Sequence, residues 1–382
     1  MHSSQKDWLS IQSASINLLR FPLAIAVIFI HLNPKTIGVL EADFSVASGK
    51  GIVNVLFISI SNVLAQTAVP IFFLISGFFF FHNVQKFTLA TYKKKLSSRI
   101  KTLIIPYFCW NTLVFCMTIL GKTLKIGNAN GSLQLLMDYI KDVNWHFLYD
   151  SHIFHASDLN ILGNEIYQAG PIDAPLWFLR DLIFMVILTP LIFILIKKTK
   201  IYGILLLCFF YITRIWIEVP GLSITAFFYF SLGTYFAINN INIVYFAQKI
   251  NKIFLPLSIL FFIICVTWDG RNTYIGANVM PLYILTTIFV VFNIATYLVK
   301  KYKLKSPNIL LNCCFFVFAS HTIFILSLIK NCIHYIMYGQ SSIVQIFNYL
   351  ITPFVTAYIC VAIYYFLTKY FPRLALPLTG YR

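Results

Sequence analysis

Arg20 and His31 are the first residues whose types and spacing suggest chemistry. Both sit in the apolar run LRFPLAIAVIFIHLN, residues 18–32. Eleven helical steps of 100° return to within about 20° of the same face, so the two side chains would share one side of a helix, about 16 Å apart along its axis. Ionisable groups at membrane depth are costly and face a bundle interior or a wet cavity. An imidazole placed there can take a proton from a hydroxyl, and a guanidinium can hold an anion or stabilise developing negative charge. The plain alternative is that Arg20 snorkels to one interface while His31 rests at the other.

Other stretches carry further candidates. VPIFFLISGFFFF (69–81) is interrupted by Pro70, Ser76 and Gly77, which allow a ligand or another helix to come close. YKKKLSSRIKTLIIPYFCWN (92–111) feeds Lys95, Arg99 and Lys101 into an apolar run. These side chains suit phosphate as well as anionic lipid. APLWFLRDLIF (174–184) brings Trp177, Arg180 and Asp181 together. Neighbouring helical positions point apart, so Arg180 and Asp181 are expected to find other partners, whereas Arg214 and Glu218 have the i,i+4 spacing of a self-contained ion pair. FFVFASHTIFIL (315–326) holds His321 deep in an apolar segment, about 20 Å along the helix from the inner surface. His146, His152 and His155 lack a defined ligand frame, and no metal is expected.

The elements that must position these groups are membrane helices. The chain has 382 residues, 59% hydrophobic and only 11% charged, with a mean hydropathy of +0.80. That composition excludes a soluble domain and indicates an all-α integral membrane protein. About ten transmembrane helices are expected, at 14–33, 58–81, 103–121, 175–196, 201–217, 223–239, 253–268, 281–299, 307–330 and 345–368. The net charge of +17 is concentrated in short basic loops at 82–102, 197–200 and 300–305. Ten spans put all three loops and both termini on one side, the cytoplasm, in a multi-pass inner (plasma) membrane protein. Nucleic acid is not needed to explain the charge. The opposite side receives 34–57 and an extended loop at 122–174, where six of the twelve acids lie and short helices such as SLQLLMDYI are expected. The eight cysteines read as small core hydrophobes. MHSSQKDWLS is too polar for a signal peptide, and residues 1–382 read as a single domain.

Arg20 with His31, VPIFFLISGFFF, RIKTLIIPYFCWN, PLWFLRDL, FFYFSLGTYFA (227–237) and FFVFASH occur in an order that resembles the acyltransferase 3 family, whose familiar members are polysaccharide O-acetyltransferases. The resemblance spans nearly the whole chain. It implies transfer of an acyl group, acetyl first, from cytoplasmic acyl-CoA (acetyl-CoA) as co-substrate to a hydroxyl of a cell-surface glycan or its lipid-linked precursor, with membrane lipids around it and no permanently bound cofactor. His31 would act as general base with Arg20. Arg99, Lys101 and Lys95 would meet the phosphates of coenzyme A, and Ser76 and Gly77 would let its pantetheine arm pass. Trp177, Arg180 and His321 would meet the acceptor. Many members carry two arginines three residues apart before the third span. Here Arg99 is followed at that spacing by Thr102, and Lys95 or Lys101 takes the missing charge. The length leaves no room for an appended hydrolase-like domain, the pattern of a stand-alone member. The rival classes are a transporter or flippase without bond chemistry, which calls for inverted repeats and more intramembrane charge, and a membrane glycan polymerase.

Overall fold

The computed structural model describes residues 2–32, 51–84, 86–126, 137, 139–141, 144–329, 332 and 342–381. The expected outer loop at 34–57 therefore falls largely outside the described residues, as does most of SLQLLMDYI. Helix α1 (His2–Ile30) is followed by α2 (Ile52–Phe57), a π turn (Ile58–Val63), a 3-10 turn (Leu64–Thr67) and α3 (Ala68–Phe81). Next come α4 (Leu89–Arg99), a second π turn (Ile100–Ile104) and α5 (Ile105–Ile126). A β-hairpin, β1 (His152–Leu159) antiparallel to β2 (Glu165–Gly170), occupies the long connector. The remaining helices are α6 (Trp177–Ile187), α7 (Thr189–Thr199), α8 (Ile201–Thr213), α9 (Ile224–Ile238), α10 (Ile243–Thr267), α11 (Tyr274–Tyr302), α12 (Asn308–Ser320), α13 (Ser342–Tyr370) and α14 (Pro372–Thr379). A third π turn, His321–Ile325, extends α12.

Each expected apolar run holds a helix, but the runs are not equal. Six helical stretches among the described residues are long and apolar enough to cross a membrane, and the α6–α7 pair, bent by 64°, raises this to seven. Residues 201–213, 224–238 and 308–323 form shorter apolar helices. The α6–α7 bend has a local cause. Pro190 cannot donate to the helix ladder, and the Thr189 hydroxyl instead satisfies the Val186 carbonyl at 2.7 Å. Tyr92 of α4 donates to the neighbouring Ile187 carbonyl at 3.0 Å. The hairpin departs from an all-α reading of the connector. It closes on Asn160, whose Oδ1 accepts from the backbone N–H groups of Leu162 and Asn164, with Gly163 at φ +84°.

Helix α1 sits at the centre, packed against α3, α10, α11, α12 and α13. The buried side chains form one continuous cluster through these helices. On α8 and α10, Leu205, Leu206, Phe209, Ile259 and Ile263 remain exposed, as a lipid-facing surface requires. Helices α3 and α9 touch backbone to backbone. A Cβ on Gly77 would lie 2.1 Å from the Phe230 carbonyl oxygen, and one on Gly233 would lie 2.0 Å from that of Leu74. Backbone meets backbone at both points, so no side-chain rotation can relieve the clash. Gly233→Ala is expected to destabilise the protein by about 1–3 kcal/mol, seen as a lower melting temperature in detergent. Gly121→Ala, where nothing lies within 4 Å, serves as the neutral comparison.

Candidate functional site

Two cavities open along one stripe of α1. Leu9, Ser13 and Ile16 line a cavity of about 870 Å³ at the lysine-rich end, with Phe78, His82 and Tyr245. Val27, Ile30 and His31 line a second cavity of about 340 Å³ at the other end, with Gln66, Trp177 and Arg214. Arg20 stands between them. Seven or eleven residues separate it from Ser13, Val27, Leu9 and His31, spacings that all fall within about 20° of its own direction on the helix. The face that carries Arg20 and His31 is therefore the face both cavities share, and Arg20 is half-buried there.

His31 sits in the turn that ends α1, its backbone N–H bonded to the Ile28 carbonyl. Behind it lies His321, fully buried, with the ring centroids 5.2 Å apart. His321 Nδ1 lies 2.8 Å from the Phe318 carbonyl oxygen and 3.2 Å from that of Val317. Carbonyl oxygens only accept, so Nδ1 carries the proton and Nε2 keeps a lone pair. That Nε2 has no hydrogen-bond partner among the described residues. His321 is the first residue of a π turn, which widens the helix where the two rings meet. It faces His31 and does not line either cavity.

The outer cavity is roofed by the connector. Buried Arg180 donates from Nη1 to the carbonyls of Tyr149 and Ala169, at 2.6 and 2.8 Å. Its Nε and Nη2 fold back onto Asp181 Oδ1 at 3.0 and 2.8 Å. This corrects the expectation that these adjacent residues look elsewhere: with Nη1 anchored on the roof, the long arginine curls onto its neighbour. Asp181 also accepts from Gly221 N–H and the Ser223 hydroxyl. Arg180 is thus spent on structure and does not line the cavity, unlike Trp177. Arg214 and Glu218 also differ from their sequence reading. Helix α8 ends at Thr213 and Arg214 is left-handed at φ +55°, so helical i,i+4 geometry does not apply, and both residues line the cavity. Beside the site, Asp173 is buried. Its N–H donates to Asn111 Oδ1, and burial pushes its carboxyl up to about 8 against a Thr322 hydrogen bond.

At the lysine-rich end, the Lys95 ammonium lies over the Phe80 ring at 5.4 Å and within electrostatic reach of His82 and Arg99. Burial, and then Lys95, lower the pKa of His82. Lys101 is exposed. Lys300 stacks on Trp8 at 3.6 Å, and Trp8 meets Tyr245 edge-on at the cavity rim. Gly77 is occupied by the α9 backbone, and Ser76 beside it is half-buried. Among the described residues no three His, Cys, Asp or Glu groups gather as metal ligands, and His146 is paired with Asp150.

Sequence reasoning did not single out Asn62, Gln66 and Arg271, which line the outer cavity. Asn62 and Gln66 lie in the π and 3-10 turns, where ordinary helical phase no longer predicts the facing side. Arg271 left a fainter signal: an arginine at the end opposite the lysine-rich loops.

The family described as "Acyltransferase domain" matches residues 13–365. Succinoglycan biosynthesis protein ExoH of Rhizobium meliloti (strain 1021) is 25% identical over 280 residues, covering 71% of this chain and 65% of that protein. The chain thus matches just under two thirds of that relative's length. No solved structure matches.

Glu218 supplies a pH test of this site. Burial pushes its carboxyl from 4.5 up to about 7, with Asp181 adding to the rise, against the Ile224 N–H and Arg214. The folded protein thus retains a proton that the unfolded chain releases, so stability falls as pH rises from about 4.5 to about 7 and levels off beyond. Glu218→Gln is expected to flatten that slope in melting curves taken between pH 5 and 8.

Proposed function

Because the chain belongs to the acyltransferase 3 family of multi-pass membrane proteins, we propose that it moves an acyl group, acetyl first, from acyl-CoA on the cytoplasmic side to a hydroxyl of a cell-surface glycan or its lipid-linked precursor. The observation that carries this reading is the shared stripe of α1, with a cavity at each end, Arg20 between them and His31 in the outer one. A relative named for succinoglycan biosynthesis supports a polysaccharide as the acceptor class. The inner (plasma) membrane, with the lysine-rich end facing the cytoplasm, is the location consistent with the charge bias.

The donor enters through the lysine-rich cavity. Lys95, Arg99 and Lys101, with His82, draw its phosphates, and the rim aromatics Trp8 and Tyr245 offer faces on which a base can stack. The thioester arm runs along the α1 stripe to Arg20, and Gly77, filled by the α9 backbone, serves helix packing instead. The acceptor occupies the outer cavity against Trp177. His31 takes the proton of the acceptor hydroxyl as its oxygen bonds to the thioester carbonyl carbon. Arg20, about 16 Å along α1 toward the lysine-rich end, holds the coenzyme A part of the donor. The carbon–sulfur bond then breaks, and the departing thiolate collects the proton from the imidazolium. His321 is a positioning residue: its unpartnered Nε2 lone pair, on a ring 5.2 Å from that of His31, would accept the N–H of the His31 nitrogen that does not act as base and so fix the tautomer.

Purified protein given radiolabelled acetyl-CoA and a glycan extract is expected to label the glycan, and His31→Ala, inserted and folded, to lose at least about a hundredfold of that rate. A folded, active His31→Ala protein overturns the assignment of the base. Wild-type protein that binds no coenzyme A and moves no label favours transport through the two cavities instead. His321→Gln, which keeps an acceptor atom, is expected to retain more kcat than His321→Ala at similar KM.

A further inference from the structure

The outer cavity holds more positive charge than proton transfer to a neutral hydroxyl requires. Arg214, at the end of α8, and Arg271, in the turn between α10 and α11, both line it. Tyr211, another wall residue, lies within electrostatic reach of both guanidinium groups. Arg271 Nε is buried with no hydrogen-bond partner among the described residues. The contrast with Arg180 is direct, since its Nε, Nη1 and Nη2 all donate to protein oxygens. A desolvated guanidinium N–H left unpaired is costly, and the cost is recovered when an anion fills the place. Among the described lining residues Glu218 is the one acid, set against two arginines. Its raised pKa leaves it part-protonated near neutral pH, so the cavity stays net positive. Arginine is also the side chain whose planar fork matches a carboxylate.

We propose that Arg214 and Arg271 form a carboxylate subsite, so that one of the two substrates held beside His31 carries a negative charge. This rests on the acyl-transfer reading above. The carboxylate has two chemical sources: an acidic sugar in the acceptor, or the free end of a dicarboxylic acyl group on the donor.

The test uses the full-length protein in detergent and separates the sources. One arm compares 4-nitrophenyl glucuronide with 4-nitrophenyl glucoside as acceptors of acetyl from acetyl-CoA. The other compares succinyl-CoA with acetyl-CoA as donors to the neutral glucoside. In one arm the charged substrate is expected to be preferred in kcat/KM. Arg271→Gln is expected to reduce that preference about ten- to a hundredfold, and Arg271→Lys, which keeps the charge but loses the fork, to reduce it less. Transfer without charge preference in either arm overturns the subsite and leaves the acyltransferase reading standing. A second readout needs no turnover: phenylglyoxal modification of Arg271, followed by mass spectrometry, with glucuronate, succinate or glucose present. Protection by glucuronate or succinate but not glucose supports the subsite even if neither test acceptor is acylated. Equal modification in all three overturns it.

Discussion

Arg180 and Asp181 are held away from water at the end opposite the lysine-rich loops, and the cavity beside His31 is braced by the bonds that make this tolerable. A buried ion pair loses hydration worth several kcal/mol per ion unless further hydrogen bonds replace it. Here the replacements come from four separate places: the carbonyls of Tyr149 and Ala169 on the arginine side, and the Gly221 N–H and Ser223 hydroxyl on the aspartate side. The pair therefore ties the hairpin connector, the start of α6 and the segment leading into α9 to a single point. Trp177, at the start of α6, and Glu218, in the segment leading into α9, line the cavity from two of these joined segments.

The inner half is held together by the opposite means. Between α3 and α9 there are no charges to satisfy, only two glycines that let the backbones touch. Lipid offers helices no hydrophobic incentive to associate, so close packing has to supply the attraction. Toward the His31 end, aromatic rings thicken the frame, with Phe73 on Phe178 and Phe178 on Phe318. A rigid apolar frame around one polar stripe keeps Arg20 and His31 from finding lipid.

Much of this is local and was legible in the sequence. Helical phase depends only on spacing, so the common face of Arg20 and His31 follows from residue numbers, and apolar run length locates the helices. Trp177 beside the His31 cavity follows from position along those runs, whereas Lys95, Arg99 and Lys101 do not line the other cavity. What escaped is tertiary or irregular. The hairpin depends on an Asn160 turn between two short strands that an outer loop does not advertise. The Arg180–Asp181 bond appears only once the arginine's other donors are anchored by residues 11 and 31 positions away. Arg271 reaches the cavity through the packing of α10 against α11, a contact that composition cannot foretell.

The three π turns each add one residue to a helix that would otherwise run at 3.6 per turn. They occur beside Asn62, Arg99 and His321. One residue more or less turns everything beyond it by about 100°, enough to swing a lipid-facing row into the interior. At these points the helices have in effect absorbed an insertion without losing their outward faces. Removing one residue after His321 would restore a regular helix and rotate the segment beyond it by about 100° relative to the two imidazoles, so chain length at that point is itself part of the site.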